Sequence, residues 1–153
     1  MKYLKNLVIK LLSYKKIKYS LLLIIIVIII KFPVYIVNGK SMIPTLHNHQ
    51  IVIGNRYLFA KKYEINNIVV VHKDNKNYIK RIVAVEGDAI SCVNNNLKIN
   101  DTNMSNYYCE NIENTVLKEN EYFVLGDNGP QSIDSRSFGV VKIDEIKSKI
   151  RRK

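Results

Sequence analysis

The 153-residue sequence holds little of several residue types that mark special classes of protein. Six glycines and three prolines are too few for a collagen-like repeat or a low-complexity linker. Two cysteines are too few for a disulfide-dense miniprotein, and a 47% hydrophobic content is too high for a wholly disordered chain. No internal repeat is visible. The length therefore favours one ordinary folded domain with little chain to spare.

Residues that bind metals are also scarce. His47, His49 and His72 are scattered over polar segments, and the sequence has no Cys-x-x-C pair, so we predict no metal and no cofactor. Cys92 and Cys109 leave two interpretations open. Outside the cytoplasm they can form one bridge, worth roughly 3 kcal/mol in the loop-entropy model, or they are two unrelated thiols.

The net charge of +11 is unevenly distributed. Residues 1–37 contribute +7, with seven lysines and no acid, and residues 151–153 contribute +3. The intervening residues 38–150 are almost neutral, at +1. A nucleic-acid-binding domain would carry its excess in the folded body, so this distribution argues against nucleic acid and favours an anionic membrane surface.

The first basic segment ends in the most apolar run of the chain. Residues 21–30 read LLLIIIVIII, between Lys18 and Lys31. The 21 residues 17–37 predict a single transmembrane anchor whose two lysines extend toward the headgroups, and Pro33 should end its helix. A cleaved signal peptide and a buried core helix are the alternatives.

The lysines before the apolar run predict the orientation of the chain in the membrane. They predict a single-pass protein of the plasma membrane, with residues 1–16 on the cytoplasmic face and residues 38–153 outside the cytoplasm. Residues 1–16 either rest on the anionic membrane surface or form a short solvated tail.

After residue 38 the apolar residues come in short β-branched runs bounded by Asn, Asp, Gly or Lys. This pattern predicts a mainly β domain, a compact coiled antiparallel sheet or small barrel, with one N-terminal transmembrane helix. Residues 144–152 predict a last strand or a short helix, and the polar residues 100–118 a surface loop or a small excursion from the sheet. The predicted strands are 51–53, 68–71, 79–85, 89–93, 97–99, 122–125 and 138–141.

Three stretches stand out against this β pattern. Residues 39–46, GKSMIPTL, predict a constrained turn that can present the hydroxyl of Ser41. Residues 78–88 read YIKRIVAVEGD, and residues 126–139 read GDNGPQSIDSRSFG, a loop dense in small polar groups. Taken singly, these stretches also fit an ordinary Ser-Pro loop, an edge-strand lysine and a polar hairpin loop.

The second stretch places a lysine on an apolar face. The two-residue period of a strand puts Lys80 on the same face as Tyr78, Ile82 and Ala84. Burial disfavours the charged ammonium and lowers the pKa of a lysine, and a neutral lysine can act as a general base.

Taken together and in this order, the three stretches resemble the type I signal peptidases, in their Gram-positive form. These are membrane-bound serine proteases that remove signal peptides from exported proteins. The resemblance covers residues 17–150 and rests on the patterns G-x-S-M-x-P-T-L, Y-I-K-R-I and G-D-N-x-x-x-S-x-D-S-R-x-F-G.

The resemblance implies a role for each matching residue. Ser41 would be the nucleophile and Lys80 the general base, with Ser132 hydrogen-bonded to Lys80 to orient it. The backbone N–H of Ser41 would stabilise the oxyanion. Gly39 stands where some relatives have a second, hydroxyl donor, so that side-chain donor is absent here.

The remaining matches are structural. Asp134, Arg136 and Arg81 correspond to positions that hold the third stretch against the lysine strand by charge pairing. Gly129 departs from the pattern, because many relatives have an arginine directly after Gly-Asp-Asn. That departure leaves the geometry of the loop open.

The resemblance also implies the partners: a lipid bilayer and preproteins cut after small residues of the A-x-A type, with no nucleic acid and no obligate protein partner. An extended peptide can add to a sheet edge and place alternate side chains in pockets. Two alternatives are a soluble self-cleaving repressor-type protease, which also uses a Ser/Lys pair, and a membrane-anchored β domain without catalysis.

Overall fold

The computed structural model describes residues 2–56, 62–110 and 112–151. Met1, Arg152 and Lys153, assigned above to the basic ends of the chain, lie outside the described residues. Helix α1 spans Lys2–Lys31, and its apolar residues 21–30 are 43–65% exposed. Within the described part of the chain, no helix combines the length and the apolar character needed to cross a membrane.

The C-terminal part of the predicted anchor is not helical. Helix α1 ends at Lys31, and Val34–Ile36 form strand β1, which pairs with β2. Pro33 explains the boundary, since its ring fixes φ and removes an N–H donor, so the helix cannot continue through it. The predicted span of 17–37 is therefore too long at this end, and the spanning helix itself is not confirmed.

The rest of the chain is mainly β, as predicted. The strands are β1 (Val34–Ile36), β2 (Ile51–Asn55), β3 (Ile68–Lys73), β4 (Lys76–Ala84), β5 (Ala89–Val93), β6 (Asn96–Ile99), β7 (Thr102–Tyr108), β8 (Thr115–Val116), β9 (Glu121–Leu125), β10 (Val141–Lys142) and β11 (Ile146–Ile150), and a short helix α2 spans Ser135–Phe138.

The strands form two antiparallel sheets. The seven-stranded large sheet has the order β1-β2-β11-β3-β4-β9-β10, and the four-stranded small sheet has the order β7-β6-β5-β8. Over residues 2–56, 62–110 and 112–151 neither sheet closes, so the alternative of a small barrel is wrong. The large sheet ends in strands of only three and two residues, β1 and β10, which offer little backbone for pairing with each other.

Two local predictions need correction. Of the two alternatives predicted for the polar residues 100–118, the surface loop is wrong, because β7 and β8 lie there and pair with β6 and β5 of the small sheet. Residues 138–141 are not one strand, since α2 ends at Phe138 and β10 begins at Val141. The tail contains both predicted alternatives, a 3-10 turn at Ile143–Glu145 followed by β11.

The hydrophobic core covers both faces of the large sheet. On β3, Val69 and Val71 pack against Ile82, whereas Ile68 and Val70 pack under the segment that carries Ser41. A third cluster, between the two sheets, includes Phe123 and the buried residues of β5 and β6. Cys92 and Cys109 form a disulfide across 17 residues, which decides between the two interpretations of these cysteines.

Candidate active site

Ser41 lies in the turn that connects β1 to β2. Met42 is 1% exposed and Leu46 7%, and both pack in the cluster that contains Val70. Each buried apolar side chain of this size contributes about 1.5–3 kcal/mol, so these two anchor the turn to the sheet. The turn is closed by a hydrogen bond from the Leu46 N–H to the Met42 carbonyl at 2.8 Å.

Lys80 reaches Ser41 from the middle of β4. Its face also carries Ile82 and Ala84, both 0% exposed, and Lys80 itself is 3% exposed, as the two-residue period predicts. Its Nζ lies 2.7 Å from Ser41 Oγ and donates to the Ile79 carbonyl at 3.0 Å. The structure thus brings together the two residues predicted as nucleophile and base.

The surroundings of Lys80 favour its neutral form. Burial lowers the pKa of Lys80 from 10.5 to about 8, and the carboxylates of Asp134 and Asp127 partly oppose this shift. A lysine with a pKa near 8 is neutral in a useful fraction of molecules near neutral pH. It can therefore accept a proton from the hydroxyl beside it.

The loop of residues 126–139, called the polar loop below, is tied to both residues. Arg81, next to Lys80, makes a bidentate pair with Asp127, with N–O distances of 2.7 and 2.6 Å. Asn128 donates its backbone N–H to the Ser41 carbonyl at 2.9 Å and its amide to the Lys40 carbonyl at 3.1 Å. The polar loop therefore holds the serine turn against the lysine strand.

A second ion pair lies within the polar loop. Asp134 is 0% exposed and binds Arg136 through two hydrogen bonds of 2.9 and 3.0 Å. Asp134 also accepts from the Gly126 N–H at 3.0 Å. Of the three predicted supporting residues, Arg81 thus joins the lysine strand to the loop, whereas Asp134 and Arg136 brace the loop itself.

Ser132 occupies the loop close to the candidate dyad. Its Oγ is buried and has no hydrogen-bond partner among the described residues. It packs so closely over Gly126 that a Cβ at that glycine would collide with it and with the Ser41 carbonyl. The predicted hydrogen bond from Ser132 to Lys80 stays a prediction.

The structure assigns contacts to two residues of the site, Asp127 and Gly129, whose roles the sequence did not predict. The ion-pair partner of Arg81 is Asp127, a residue to which the sequence assigned no role, and not Asp134, the other aspartate of the loop. Gly129 has a physical reason: a Cβ there would lie 2.5 Å from the Asn106 carbonyl of β7. Strand β7 of the small sheet therefore occupies the space that an arginine side chain at position 129 would need.

A cleft of about 350 Å³ opens beside Ser41 and Lys80. One wall is formed by residues 35–42 and the other by residues 77–80, with Gln131 and Ile133 at the end. Gly39 has a φ of +100° and nothing within 4 Å of its Cβ position, so the backbone is open to the cleft at this point.

The histidines lie elsewhere. His47 and His49 are exposed, and His72 exchanges a 2.8 Å hydrogen bond with Asn77. In the part of the chain that the structure describes, no three His, Cys, Asp or Glu side chains are grouped to hold a metal ion.

Comparison with known proteins identifies the family. The model of the family described as "Signal peptidase, peptidase S26" matches residues 11–152, nearly the whole chain. The chain belongs to this family. Its members are described as signal peptidases, which agrees with the resemblance drawn from the sequence.

Individual relatives agree with the family match. Signal peptidase I S of Bacillus subtilis strain 168 is 32% identical over 123 residues, which cover 69% of this chain and 67% of the relative. Signal peptidase IB of Staphylococcus aureus is 30% identical over 154 residues, covering 83% and 81%. A crystal structure of a signal peptidase I from Enterococcus faecalis V583 is 23% identical, with a TM-score of 0.45, and covers 60% of this chain and 98% of its own.

Proposed function

We propose that the protein is a membrane-attached serine endopeptidase that removes signal peptides from exported preproteins with Ser41 and Lys80 as its catalytic pair. The observation that carries the proposal is the 2.7 Å distance between Lys80 Nζ and Ser41 Oγ, in a setting that buries the amine. Family membership supports the reaction, and this geometry supports the assignment of the residues.

The reaction begins with neutral Lys80. Its Nζ takes the proton of the Ser41 hydroxyl as Oγ attacks the scissile carbonyl carbon, and a tetrahedral oxyanion forms. The intermediate collapses when the C–N bond breaks and the Lys80 ammonium donates its proton to the leaving amine. Neutral Lys80 then takes a proton from water, which attacks the acyl ester, and it returns that proton to Ser41 Oγ.

The oxyanion needs hydrogen-bond donors. We assign the backbone N–H of Ser41 to this role, and Gly39 supplies no side-chain donor in the same turn. One such donor is worth about 2.7–4 kcal/mol to the transition state. Ser132 is assigned as the residue that orients Lys80, since its buried Oγ has a free hydrogen-bonding capacity beside the serine turn.

The cleft beside Ser41 suits an extended peptide. The pairing of β9 with β4 covers Arg81 to Ala84, so the preceding residues 77–79 turn one edge toward the cleft. An extended preprotein segment can add to this edge and direct alternate side chains toward the enzyme. We propose that small residues of the A-x-A type occupy these positions.

Attachment to the membrane is assigned to α1. Ten apolar residues, 21–30, lie along it between Lys18 and Lys31 and are left exposed by the part of the chain that the structure describes. We propose that these residues contact lipid and that residues 38–153 work on the outer side of the plasma membrane. The two native cysteines are joined in a disulfide, so labelling of the thiol of a Lys76→Cys variant from each side of sealed vesicles tests the orientation. Labelling of this thiol from the cytoplasmic side would contradict it.

Cleavage of a purified preprotein in detergent tests the catalytic pair. We expect Ser41→Ala and Lys80→Met each to lower kcat/KM by at least about 10³-fold, because the nucleophile and its general base act together and neither works without the other. Ser137→Ala and Lys76→Met are the matched controls, since both residues are exposed and Lys76 shares β4 with Lys80. Circular dichroism checks that each variant is folded.

The pH profile gives a second measurement. Because the pKa of Lys80 is about 8, kcat/KM should rise with pH as the lysine loses its proton, with a midpoint near that value. Full cleavage by Ser41→Ala or Lys80→Met, or a profile that falls through pH 8, would overturn the assignment.

A further inference from the structure

Two adjoining cavities lie away from Ser41 and Lys80. The first, called the amide cavity here, measures about 270 Å³ and is lined by Asn55, Asn66, Asn67, Lys149 and Arg151. The second, the isoleucine groove, measures about 920 Å³ and runs along β2 past Ile51 and Ile53. Ile68, Ile150 and Arg151 line both, so a polar and an apolar compartment share one wall.

The amide cavity is electropositive. Among the described residues, Lys149 and Arg151 are the charged residues that line it, and no acid does. Glu64 belongs to the same turn, where its carbonyl accepts from the Asn67 N–H at 3.1 Å, but its side chain is exposed and outside the lining. Over residues 62–110 and 112–151, neither Lys149 nor Arg151 takes part in an ion pair. Such a cavity favours an anion, and above all a phosphate.

One acceptor in the amide cavity is unsatisfied. Asn55 Oδ1 is buried without a hydrogen-bond partner among the described residues, and a buried acceptor of this kind is costly. Only a hydrogen-bond donor relieves it. A ligand that carries an anionic phosphate and, next to it, a hydroxyl group would match both the two cationic side chains and this acceptor.

The amide cavity also lies next to the end of α1. The Arg56 N–H donates to the Lys31 carbonyl at 2.9 Å, and the Gly54 N–H donates to the Pro33 carbonyl at 2.8 Å. Asn55, the last residue of β2, lies between Gly54 and Arg56 in the chain. The cavity is thus joined through the backbone to the point where the exposed apolar helix ends, which is the depth of lipid headgroups when α1 contacts a bilayer.

We propose that these two cavities bind an anionic phospholipid with a phosphoglycerol headgroup. The phosphate lies against Lys149 and Arg151, a glycerol hydroxyl donates to Asn55 Oδ1, and an acyl chain lies along the isoleucine groove. At about 270 Å³ the amide cavity is near the lower limit of ligand pockets, which suits a headgroup. The proposal rests on the membrane attachment proposed above.

Native mass spectrometry of the full chain, purified from mixed vesicles of phosphatidylglycerol and phosphatidylcholine, tests the charges. We expect the wild type to retain phosphatidylglycerol and the Lys149→Gln/Arg151→Gln variant to retain about tenfold less, the loss of charged hydrogen bonds. The Lys118→Gln/Lys147→Gln variant changes the net charge equally at exposed positions outside the cavities. Equal losses in both double variants would overturn the site and leave only diffuse attraction to the membrane.

The headgroup is tested with competing ligands. The wild type should prefer phosphatidylglycerol several-fold over phosphatidic acid, which lacks the terminal glycerol, and Asn55→Ala should remove this preference. Absence of any preference in the wild type, or binding of soluble glycerol 3-phosphate as tight as that of the lipid, would overturn the proposal. Both double variants should cleave a preprotein in detergent at the wild-type rate, so a failure of lipid binding and a failure of the proposed peptidase function are separately visible.

Discussion

The large and small sheets meet the polar loop from different sides. From the large sheet, Arg81 binds Asp127 through two charged hydrogen bonds, both partners being less than one-sixth exposed. From the small sheet, Tyr107 donates its hydroxyl to the Gly126 carbonyl at 3.1 Å, and its ring lies 5.2 Å from the Arg136 guanidinium. The large sheet also carries Lys80, on β4, and Ser41, in the turn between its strands β1 and β2.

The two attachments differ in kind. The large sheet uses a partly buried ion pair, which is costly to break because it leaves one charge unpaired. The small sheet contributes no carboxylate to the loop: besides the Tyr107 bond, its Tyr108 carbonyl accepts from the Arg136 guanidinium at 3.1 Å. A disulfide at Cys109, one residue after β7, limits the freedom of the strand that makes these contacts. The loop is therefore held by an ion pair on the catalytic side and by hydrogen bonds and a cation–ring contact on the other.

Breaking the ion pair should have the largest effect. Asp127→Asn keeps the shape of the side chain and removes its charge, so the free energy of unfolding should fall by about 3–5 kcal/mol in urea titration. Loss of a carboxylate that raises the pKa of Lys80 should also move the midpoint of the pH–rate profile below about 8. Glu86→Gln, in the exposed pair with Lys62, is the control and should leave the free energy of unfolding almost unchanged. A cost as small for Asp127→Asn would refute the difference between the two attachments.

Removing the disulfide should come next. The free energy of unfolding of the Cys92→Ala/Cys109→Ala variant should be about 3 kcal/mol lower than that of the wild type. The reason is that the cross-link between residues 17 positions apart no longer restricts the unfolded chain. At temperatures below the unfolding transition of this variant, its cleavage rate should stay within a few-fold of the wild-type rate. Reductant should destabilise the wild type alone. A loss of activity as deep as that of Ser41→Ala would mean that the small sheet takes part in the chemistry.

The burial of Lys80 should be visible in stability. The pKa of Lys80 falls from 10.5 to about 8 on folding, so below pH 8 the folded protein carries a buried charge at a cost of about 3 kcal/mol. Between about 8 and 10.5 the unfolded chain binds the extra proton, and wild-type stability rises with pH. Lys80→Met should therefore be more stable than the wild type by about 1–3 kcal/mol at pH 7, with the gain shrinking toward pH 10. A gain that does not change with pH would argue against this account.

The smallest effect is expected at Tyr107. Tyr107→Phe removes only the hydrogen bond to the Gly126 carbonyl, which should cost about 1 kcal/mol in thermal or urea unfolding. Tyr108→Phe, at an exposed neighbour on the same strand, should cost less than half of that. Equal costs would show that the small sheet does not hold the loop through Tyr107.

Strand β7 of the small sheet was not predicted from the sequence. On β7 most residues are exposed, and its burial does not follow the two-residue alternation that reveals a half-buried strand. The strand exists because β6 offers it a backbone partner, which is a non-local fact. The same limit applies to Gly129, whose lack of a side chain makes sense only once Asn106 is seen against it.

The sequence by itself determined the positions of most strands, the burial of Lys80 on its strand face, and the identity of Ser41 and Lys80 as candidates, because a two-residue period and short motifs are local properties of the chain. Tertiary structure alone decided that Val34–Ile36 leave the helix for a sheet, that Arg81 pairs with Asp127, and that Lys80 stands 2.7 Å from Ser41. Those features depend on which distant segments pack together, and the packing of distant segments is settled by the whole core at once.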